Sequence, residues 1–156
     1  MKSAYGLLFG RESNVVSVFN DAGQGLYTFS RTFLVHCPRC DTCATISRVH
    51  ADDIVPVRLV CPQCGYNKLY SRPQWIEGDV PVDPFFQLPL WLQAPCCSHT
   101  LWAYNHEHLR FSEDFVAATV RTTPPYKTLI NALPAWIKSA KHRDDIVRCI
   151  QRLNEK

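Results

Sequence analysis

The sequence lacks the features of a membrane or secreted protein. No stretch reaches the roughly 18 consecutive apolar residues that a membrane-spanning helix needs. The apolar run near the start meets Arg11 and Glu12 at once and is too short for the core of a signal peptide. We therefore expect a cytoplasmic protein without a membrane partner.

Familiar catalytic motifs are also missing. The sequence has no G-x-S-x-G, no phosphate-binding loop and no G-x-G-x-x-G. His106-Glu107-His108 matches neither H-E-x-x-H nor the deaminase motif H-x-E. We therefore predict a protein that is not an enzyme. A site that uses Cys97 and His99, with His106 nearby, is the remaining enzyme alternative.

A strong charge of either sign is absent. The chain carries 17 Lys and Arg against 14 Asp and Glu, a formal net charge of +3, which is milder than the basic stripe of most nucleic-acid-binding domains. Residues 126–156 hold seven basic and three acidic residues, a net of +4. Such a segment is typical of a solvated helix face, and an anionic partner is the alternative.

Cysteine, in contrast, is abundant, with eight residues, and four of them lie in two matched turns. Cys37-Pro38-Arg39-Cys40 is followed, after twenty residues, by Cys61-Pro62-Gln63-Cys64. Two thiolates on one tight turn can share a tetrahedral ion, and a second turn at the other end of a hairpin closes the site. In a reducing compartment, paired cysteines more often bind metal than form disulfides. The spacing predicts one structural Zn²⁺ per chain, with Cys37, Cys40, Cys61 and Cys64 as its ligands.

The paired C-P-x-C turns resemble those of the zinc ribbons, a fold group found in transcription, translation and replication proteins. The resemblance covers residues 32–71 and implies a three-stranded ribbon, but it does not imply a particular partner. Residues 89–105 are also similar to a stretch in small bacterial zinc-ribbon proteins of unassigned function. This second resemblance favours a bacterial-type cytosolic protein.

Cys96, Cys97 and His99 form a second group of residues that could bind metal. Adjacent cysteines rarely ligate one ion without strain, and this spacing fits no standard template. We expect structural burial in a β turn. A second metal site and a Cys97/His99 nucleophile pair are the alternatives.

The order of patterned segments predicts an α+β fold, with short antiparallel strands first and helices afterwards. Residues 1–31 contain two strand-like runs, at 15–19 and 26–29, which suggest a β-hairpin or an irregular flap. Residues 32–72 are the predicted zinc ribbon. Residues 73–156 contain an aromatic strand pair, followed by a helical part that packs on it.

The helical part has clear start signals. Asn105 is a good N-cap, and apolar residues recur at helical spacing to about Arg121. Pro134 can open a short helix. Asp144 and Asp145 lie in the first turn of a final helix. Its apolar stripe is Ile146, Cys149, Ile150 and Leu153.

Two classes of macromolecular partner fit these features. The segment from residue 75 to 104 is rich in aromatic residues, which dominate protein interfaces, so we predict a protein partner for an adaptor, inhibitor or immunity-type protein. The same rings would alternatively pack the ribbon against the helices. Nucleic acid is the other class of partner, and Tyr66 and Tyr70 could stack on its bases. Its candidate contacts are Arg39, Arg48, Lys68, Arg72, Lys138, Lys141 and Arg143.

Overall fold

The computed structural model describes residues 16–20, 26–50, 56–70, 80–122 and 133–156. The strands in chain order are β1 (Val18–Asn20), β2 (Thr32–His36), β3 (Cys43–Arg48), β4 (Val57–Val60), β5 (Asn67–Tyr70), β6 (Leu92–Cys96), β7 (His99–Ala103) and β8 (Val120–Thr122). The helices are α1 (His106–Ala117), α2 (Ala135–Lys138) and α3 (Arg143–Asn154). Helices thus accompany mainly antiparallel strands, which confirms the predicted α+β class.

The largest sheet is antiparallel and has the strand order β2-β3-β4-β5. Side chains alternate between its two faces, so each strand contributes every second residue to the core. In β4, for example, Val57 and Leu59 are buried, whereas Arg58 and Val60 are exposed. The buried face consists of Phe33, Val35, Ala44, Ile46, Val57 and Leu59. A shift of one residue in any strand would turn these apolar side chains to solvent, and the pattern therefore specifies the register.

The two edges of this sheet differ. Along β2, the Leu34 N–H donates to the Tyr104 carbonyl at 2.8 Å and the His36 N–H to the Pro89 carbonyl at 2.9 Å. The Trp91 N–H donates back to the Leu34 carbonyl at 2.9 Å. No strand pairs with the outer side of β5 within the described ranges. One edge of the sheet is therefore covered by the chain itself, and the other has no pairing strand among the described residues.

Aromatic residues of the middle segment complete the core beneath the sheet. Phe33 packs edge-on against Phe85 and against Tyr104, with ring centroids 5.7 and 4.8 Å apart. Both partner rings are buried, whereas Trp91 and Trp102 are half-buried. For Phe85 and Tyr104, packing therefore accounts for the aromatic character that the sequence analysis also related to a binding surface.

A buried carboxylate shapes the loop that carries Phe85. Asp83 Oδ1 accepts from the N–H groups of Phe85 and Phe86 at 2.8 and 2.7 Å, and Oδ2 accepts from that of Leu88 at 2.7 Å. Burial raises the pKa of Asp83, while these three hydrogen bonds oppose the rise. The carboxylate thus supplies hydrogen-bond acceptors for three backbone N–H groups of this turn.

The second core lies between the β6–β7 hairpin and the helices. The hairpin turns at Cys97 and Ser98, whose φ values of 51° and 64° are both left-handed, as a two-residue hairpin turn of type I′ requires. Helices α1 and α3 pack against each other and against this hairpin. The predicted stripe of α3, Ile146, Cys149, Ile150 and Leu153, is buried.

Asn105 connects the two cores. Its side-chain oxygen accepts from the His108 N–H at 2.9 Å and caps α1, as predicted. Its side-chain amide donates to the Phe29 carbonyl at 2.9 Å and to the Thr32 carbonyl at 2.7 Å, just before and at the start of β2. One side chain thus holds the start of the sheet against the start of a helix.

Other elements differ from the sequence predictions. Residues 26–29 form a 3₁₀ helix and not a strand. Strand β1 pairs in parallel with β8 and not with a neighbouring strand, while the turn of the expected hairpin lies outside the described residues. Helix α1 ends at Ala117, before the expected Arg121, because Ala118 is extended and the chain then enters β8. No described helix has the length and apolar character needed to span a membrane.

Candidate metal centre

The first cysteine turn joins β2 to β3. The Cys37 N–H donates to the Thr42 carbonyl at 2.8 Å, and the Asp41 N–H donates to the Cys37 carbonyl at 2.9 Å. Asp41 has a φ of 59°, a left-handed conformation that Asp tolerates better than most residues. This compact turn places the Sγ atoms of Cys37 and Cys40 on the same side.

The second turn, between β4 and β5, repeats the same design. The Cys61 N–H donates to the Tyr66 carbonyl at 2.8 Å, and the Gly65 N–H donates to the Cys61 carbonyl at 3.0 Å. Gly65 takes the position of Asp41 and has a φ of 72°, a left-handed value that glycine adopts without steric cost. Two turns with the same hydrogen bonds therefore face each other across the end of the sheet.

The four sulfur atoms have the spacing of a metal site. The Sγ atoms of Cys37, Cys40, Cys61 and Cys64 all lie within 4.8 Å of one another. Across the two turns, Cys37 Sγ is 3.7 Å from Cys64 Sγ, and Cys40 Sγ is 3.6 Å from Cys61 Sγ. A tetrahedral zinc with Zn–S bonds of about 2.3 Å requires sulfur atoms about 3.8 Å apart. The four cysteines therefore fit one zinc ion, and the site is compatible with that of a zinc ribbon.

Hydrogen bonds from the turns support the sulfur atoms. Thr42 Oγ1 lies 3.0 Å from Cys40 Sγ and 3.5 Å from Cys61 Sγ, and the Arg39 N–H donates to Cys37 Sγ at 3.4 Å. Such outer contacts orient metal ligands. The Thr42 hydroxyl, together with backbone N–H groups, lowers the pKa of Cys61 to about 6.

The close packing of the thiols opposes further ionisation. At Cys64 a backbone hydrogen bond from Tyr66 lowers the pKa, but burial and the neighbouring thiols outweigh it and raise the pKa to about 12. Several negative charges at these distances repel one another, and a divalent cation between them removes that repulsion. The donor set is therefore suited to a cation.

Cys43 lies outside the group, although its sequence position continues the C-x2-C spacing. Its side chain is half-buried in β3, and burial raises its pKa. Within the described residues, Cys43 thus packs in the sheet and is not part of the tetracysteine group.

The residues of the second predicted cluster have different surroundings. Cys96 is buried, with its Sγ 3.8 Å from that of Cys97 at the hairpin turn. His99 stacks on Trp136, with ring centroids 4.9 Å apart and planes inclined by 11°. Among the described residues, the second group with metal-binding spacing joins Cys97 to His142 and Asp145. Sequence reasoning missed these two residues, since they lie more than forty positions further along the chain.

The other histidines of this region are engaged elsewhere. His106 is exposed, with its Nδ1 atom 3.5 Å from Asn154 Oδ1. His108 is buried and stacks on Phe29, with ring centroids 5.3 Å apart. Its Nδ1 accepts from the Tyr104 N–H at 3.2 Å. Burial lowers the pKa of His108 to about 4, so its ring is neutral near pH 7.

The candidate nucleic-acid contacts occupy several surfaces. Arg48 is half-buried and donates to Ser30 Oγ at 3.0 Å. The Lys68 ammonium lies 5.7 Å from the centre of the Phe86 ring. Arg72 is outside the described residues. The exposed members are Arg39, Lys68, Lys138 and Lys141, and Arg143 is half-buried.

Fold and site together define an α+β protein with a tetracysteine site that fits a structural metal ion. Comparisons of the chain with protein-family models, with curated proteins and with solved structures found no match.

Proposed function

We propose that this protein is a non-enzymatic, zinc-stabilised binding protein that acts through a protein partner, as an adaptor, inhibitor or immunity-type protein does. A zinc ion with four thiolate ligands has no open coordination position, which supports a structural role for the tetracysteine site. The protein then acts through the surface that the two cysteine turns hold in place.

The observation that carries the proposal is the exposed face of β4 and β5. Val60 and Leu69 have 38% and 49% of their surface exposed. The register pairs Arg58 with Leu69 and Val60 with Asn67, so all four side chains share the face opposite the core. Exposed apolar residues beside a strand edge that no described strand covers favour a protein that adds a strand or packs on this face.

The small positive charge on the same face argues against a nucleic-acid partner. Arg58 is the charged residue that β4 and β5 present there, because Lys68 pairs with the buried Leu59 and points to the other face. Nucleic-acid affinity depends on several cations that contact phosphates together. A single arginine beside Val60 and Leu69 is better suited to the polar rim of a protein interface.

The test compares two pairs of substitutions in the purified full chain. Val60→Thr with Leu69→Thr removes the exposed apolar surface while it keeps strand-forming residue types. Val18→Thr with Val120→Thr makes the same change on the β1–β8 pair, where both residues are also exposed. We expect a copurifying protein that resists high salt to be lost from the first variant and retained by the second.

Two results would contradict the proposal. Equal retention of the protein partner by both variants would exclude the β4–β5 face. Nucleic acid that copurifies with the chain and is released by salt would favour the alternative partner class. Zinc content and thermal unfolding of each variant check that the substitutions have not unfolded the sheet.

A further inference from the structure

Two distant parts of the chain bring a thiol, an imidazole and a carboxylate together beside the β6–β7 turn. Cys97 is the first central residue of that turn, and its φ of 51° is uncommon for a residue with a side chain. His142 directly precedes α3, and Asp145 lies in its first turn. Their spacing of three residues brings both to one side of the helix start. One ligand atom from each of the three residues lies within 4.8 Å of the others.

The chemistry of these donors is specific. Sulfur and imidazole nitrogen favour zinc and similar transition metals, whereas calcium and magnesium prefer oxygen ligands alone. Zinc bound by three protein ligands keeps a fourth position for water or another small ligand. Tetrahedral ligands at about 2.0–2.3 Å from zinc lie about 3.3–3.8 Å apart. The three ligand atoms lie within 4.8 Å of one another, so small side-chain rotations would bring them to that range.

Asp145 already has an outer partner. Arg148 donates to Asp145 Oδ1 at 2.6 Å and to the Asp144 carbonyl at 3.3 Å. A carboxylate can accept such a hydrogen bond at one oxygen and bind a cation through the other. Both side chains are more than half exposed, so the pair contributes little stability. Its effect would be to orient the carboxylate.

The two neighbouring thiols make contacts of their own. Cys96 Sγ lies 4.0 Å from the Asp145 carbonyl oxygen, and Cys149 Sγ lies 3.8 Å from the Pro95 carbonyl oxygen. Arg152 also donates to Cys149 Sγ at 3.2 Å. Both cysteines are buried, whereas Cys97 is half-buried. Cys97 is therefore the thiol best placed for a ligand that enters from solvent.

A cavity of about 670 Å³ lies beside these groups. Its lining includes Cys97 and Asp145 together with Arg148 and Arg152. We propose that Cys97, His142 and Asp145 form a second zinc site, distinct from the tetracysteine site, whose fourth position opens to this cavity. The two arginines favour water or a small anion as the fourth ligand. The proposed binding function does not use this second site.

The test is a zinc titration of the folded chain in which the tetracysteine site is already loaded, with a competing indicator to measure affinity. We expect the unmodified chain to bind a second equivalent. His142→Ala and Cys97→Ser should each weaken the second binding step at least tenfold. Loss of an outer partner typically costs 10–100-fold in metal affinity, so Arg148→Ala should have an effect near the lower end of that range.

Cys149→Ser is the matched control, because Cys149 lines the same cavity but lies outside the proposed ligand set. It should leave the second binding step unchanged. Cobalt substitution gives an independent readout, since a site with one thiolate and a site with four differ in their thiolate-to-metal absorption. The unmodified spectrum of the tetracysteine site in each variant shows that the chain remains folded.

Two outcomes would overturn the inference. One is a chain that binds a single equivalent under all conditions, because the second site is then absent. The other is a second binding step that Cys149→Ser abolishes and His142→Ala leaves intact. That result would assign the metal to the neighbouring thiols and not to the mixed ligand set.

Discussion

The protein has two cores, one beneath the four-stranded sheet and one between the hairpin and the helices. They contain similar apolar residues but differ in what stabilises them. Eleven described residues form the sheet core, and two of them, Cys37 and Cys61, belong to the tetracysteine site. Sixteen form the helical core, which includes large side chains from α1, α3 and the hairpin. Small cores supply little net stability. From this difference we expect the sheet to depend on a metal ion held by its four cysteines, whereas the helical core should depend mainly on apolar burial.

Of the changes that test this difference between the two cores, metal removal should have the largest effect. Zinc bound to small cysteine modules contributes about 10–16 kcal/mol of apparent binding free energy, which is available for folding. Chelation, or Cys61→Ser, should therefore abolish amide exchange protection in β3 and β4 while α1 and α3 keep most of theirs. Hydrogen exchange by mass spectrometry and zinc analysis measure both effects.

Cys43→Ser is the control for this experiment, because Cys43 lies in the same sheet but outside the metal group. It should retain the zinc content of the unmodified chain. Sheet amides that stay protected after complete chelation would show that the two cores do not differ in this way.

A matched pair of leucine substitutions sharpens the comparison. Leu59 in the sheet core and Leu109 in the helical core are both fully buried. With zinc bound, Leu59→Ala and Leu109→Ala should each lower the free energy of unfolding by about 2–5 kcal/mol, because each leaves a cavity. With zinc removed, the sheet core should already be unfolded. In denaturant titrations Leu109→Ala should then still lower the free energy of unfolding, whereas Leu59→Ala should not. Equal effects in the absence of metal would mean that the two cores unfold as one unit.

The buried His108 makes the stability of the helical core depend on pH. Its pKa is about 4 in the folded chain, against about 6.5 in an unfolded one. The unfolded chain therefore binds the proton more readily. The contribution of His108 to stability is fully present above about pH 6.5 and is lost as the pH falls towards 4, by about 3 kcal/mol in total.

His108→Gln should remove this part of the pH dependence, because glutamine does not titrate. Urea unfolding of the unmodified chain and of the His108→Gln variant, at about pH 7 and about pH 4.5, measures this pH dependence. The readout is the difference between the two proteins, since zinc release in acid affects both of them. Parallel pH profiles would show that the imidazole is already accessible to protons in the folded chain.

The smallest expected effect concerns the connection between the cores. Asn105→Asp keeps an oxygen that can cap α1, but it removes the amide that donates to the Phe29 and Thr32 carbonyls. We expect a loss of about 1–2 kcal/mol, because these carbonyls lose a hydrogen-bond donor. Asn105→Ala removes the cap as well and should cost about 1 kcal/mol more. An Asn105→Asp variant as stable as the unmodified chain would limit the role of Asn105 to capping.

Several features of the fold were predictable because their causes are local in sequence. The spacing of Cys37, Cys40, Cys61 and Cys64 is set by two tight turns, and the structure brings their sulfur atoms together. The Asn105 cap and the buried stripe of α3 follow from helical periodicity and capping chemistry. These signals depend on neighbours within a few residues, and tertiary contacts do not override them.

Other features depend on contacts between distant segments. The parallel pairing of β1 with β8 joins residues about one hundred positions apart, and no local sequence pattern predicts it. Residues 26–29 have strand-like side chains but form a 3₁₀ helix. Asp83 is fully buried and accepts a hydrogen bond from the Phe85 N–H in its loop, and no local sequence pattern indicates this burial.

The amino-acid sequence by itself determined the α+β class and the four-thiol group, since short-range spacing and periodicity suffice for both. Only the tertiary structure decided that Val60 and Leu69 share an exposed face and that Cys97 meets His142 and Asp145. The physical reason is the same in each case. Strand register and the packing of α3 on the hairpin are fixed by burial of the whole core, which no single segment contains.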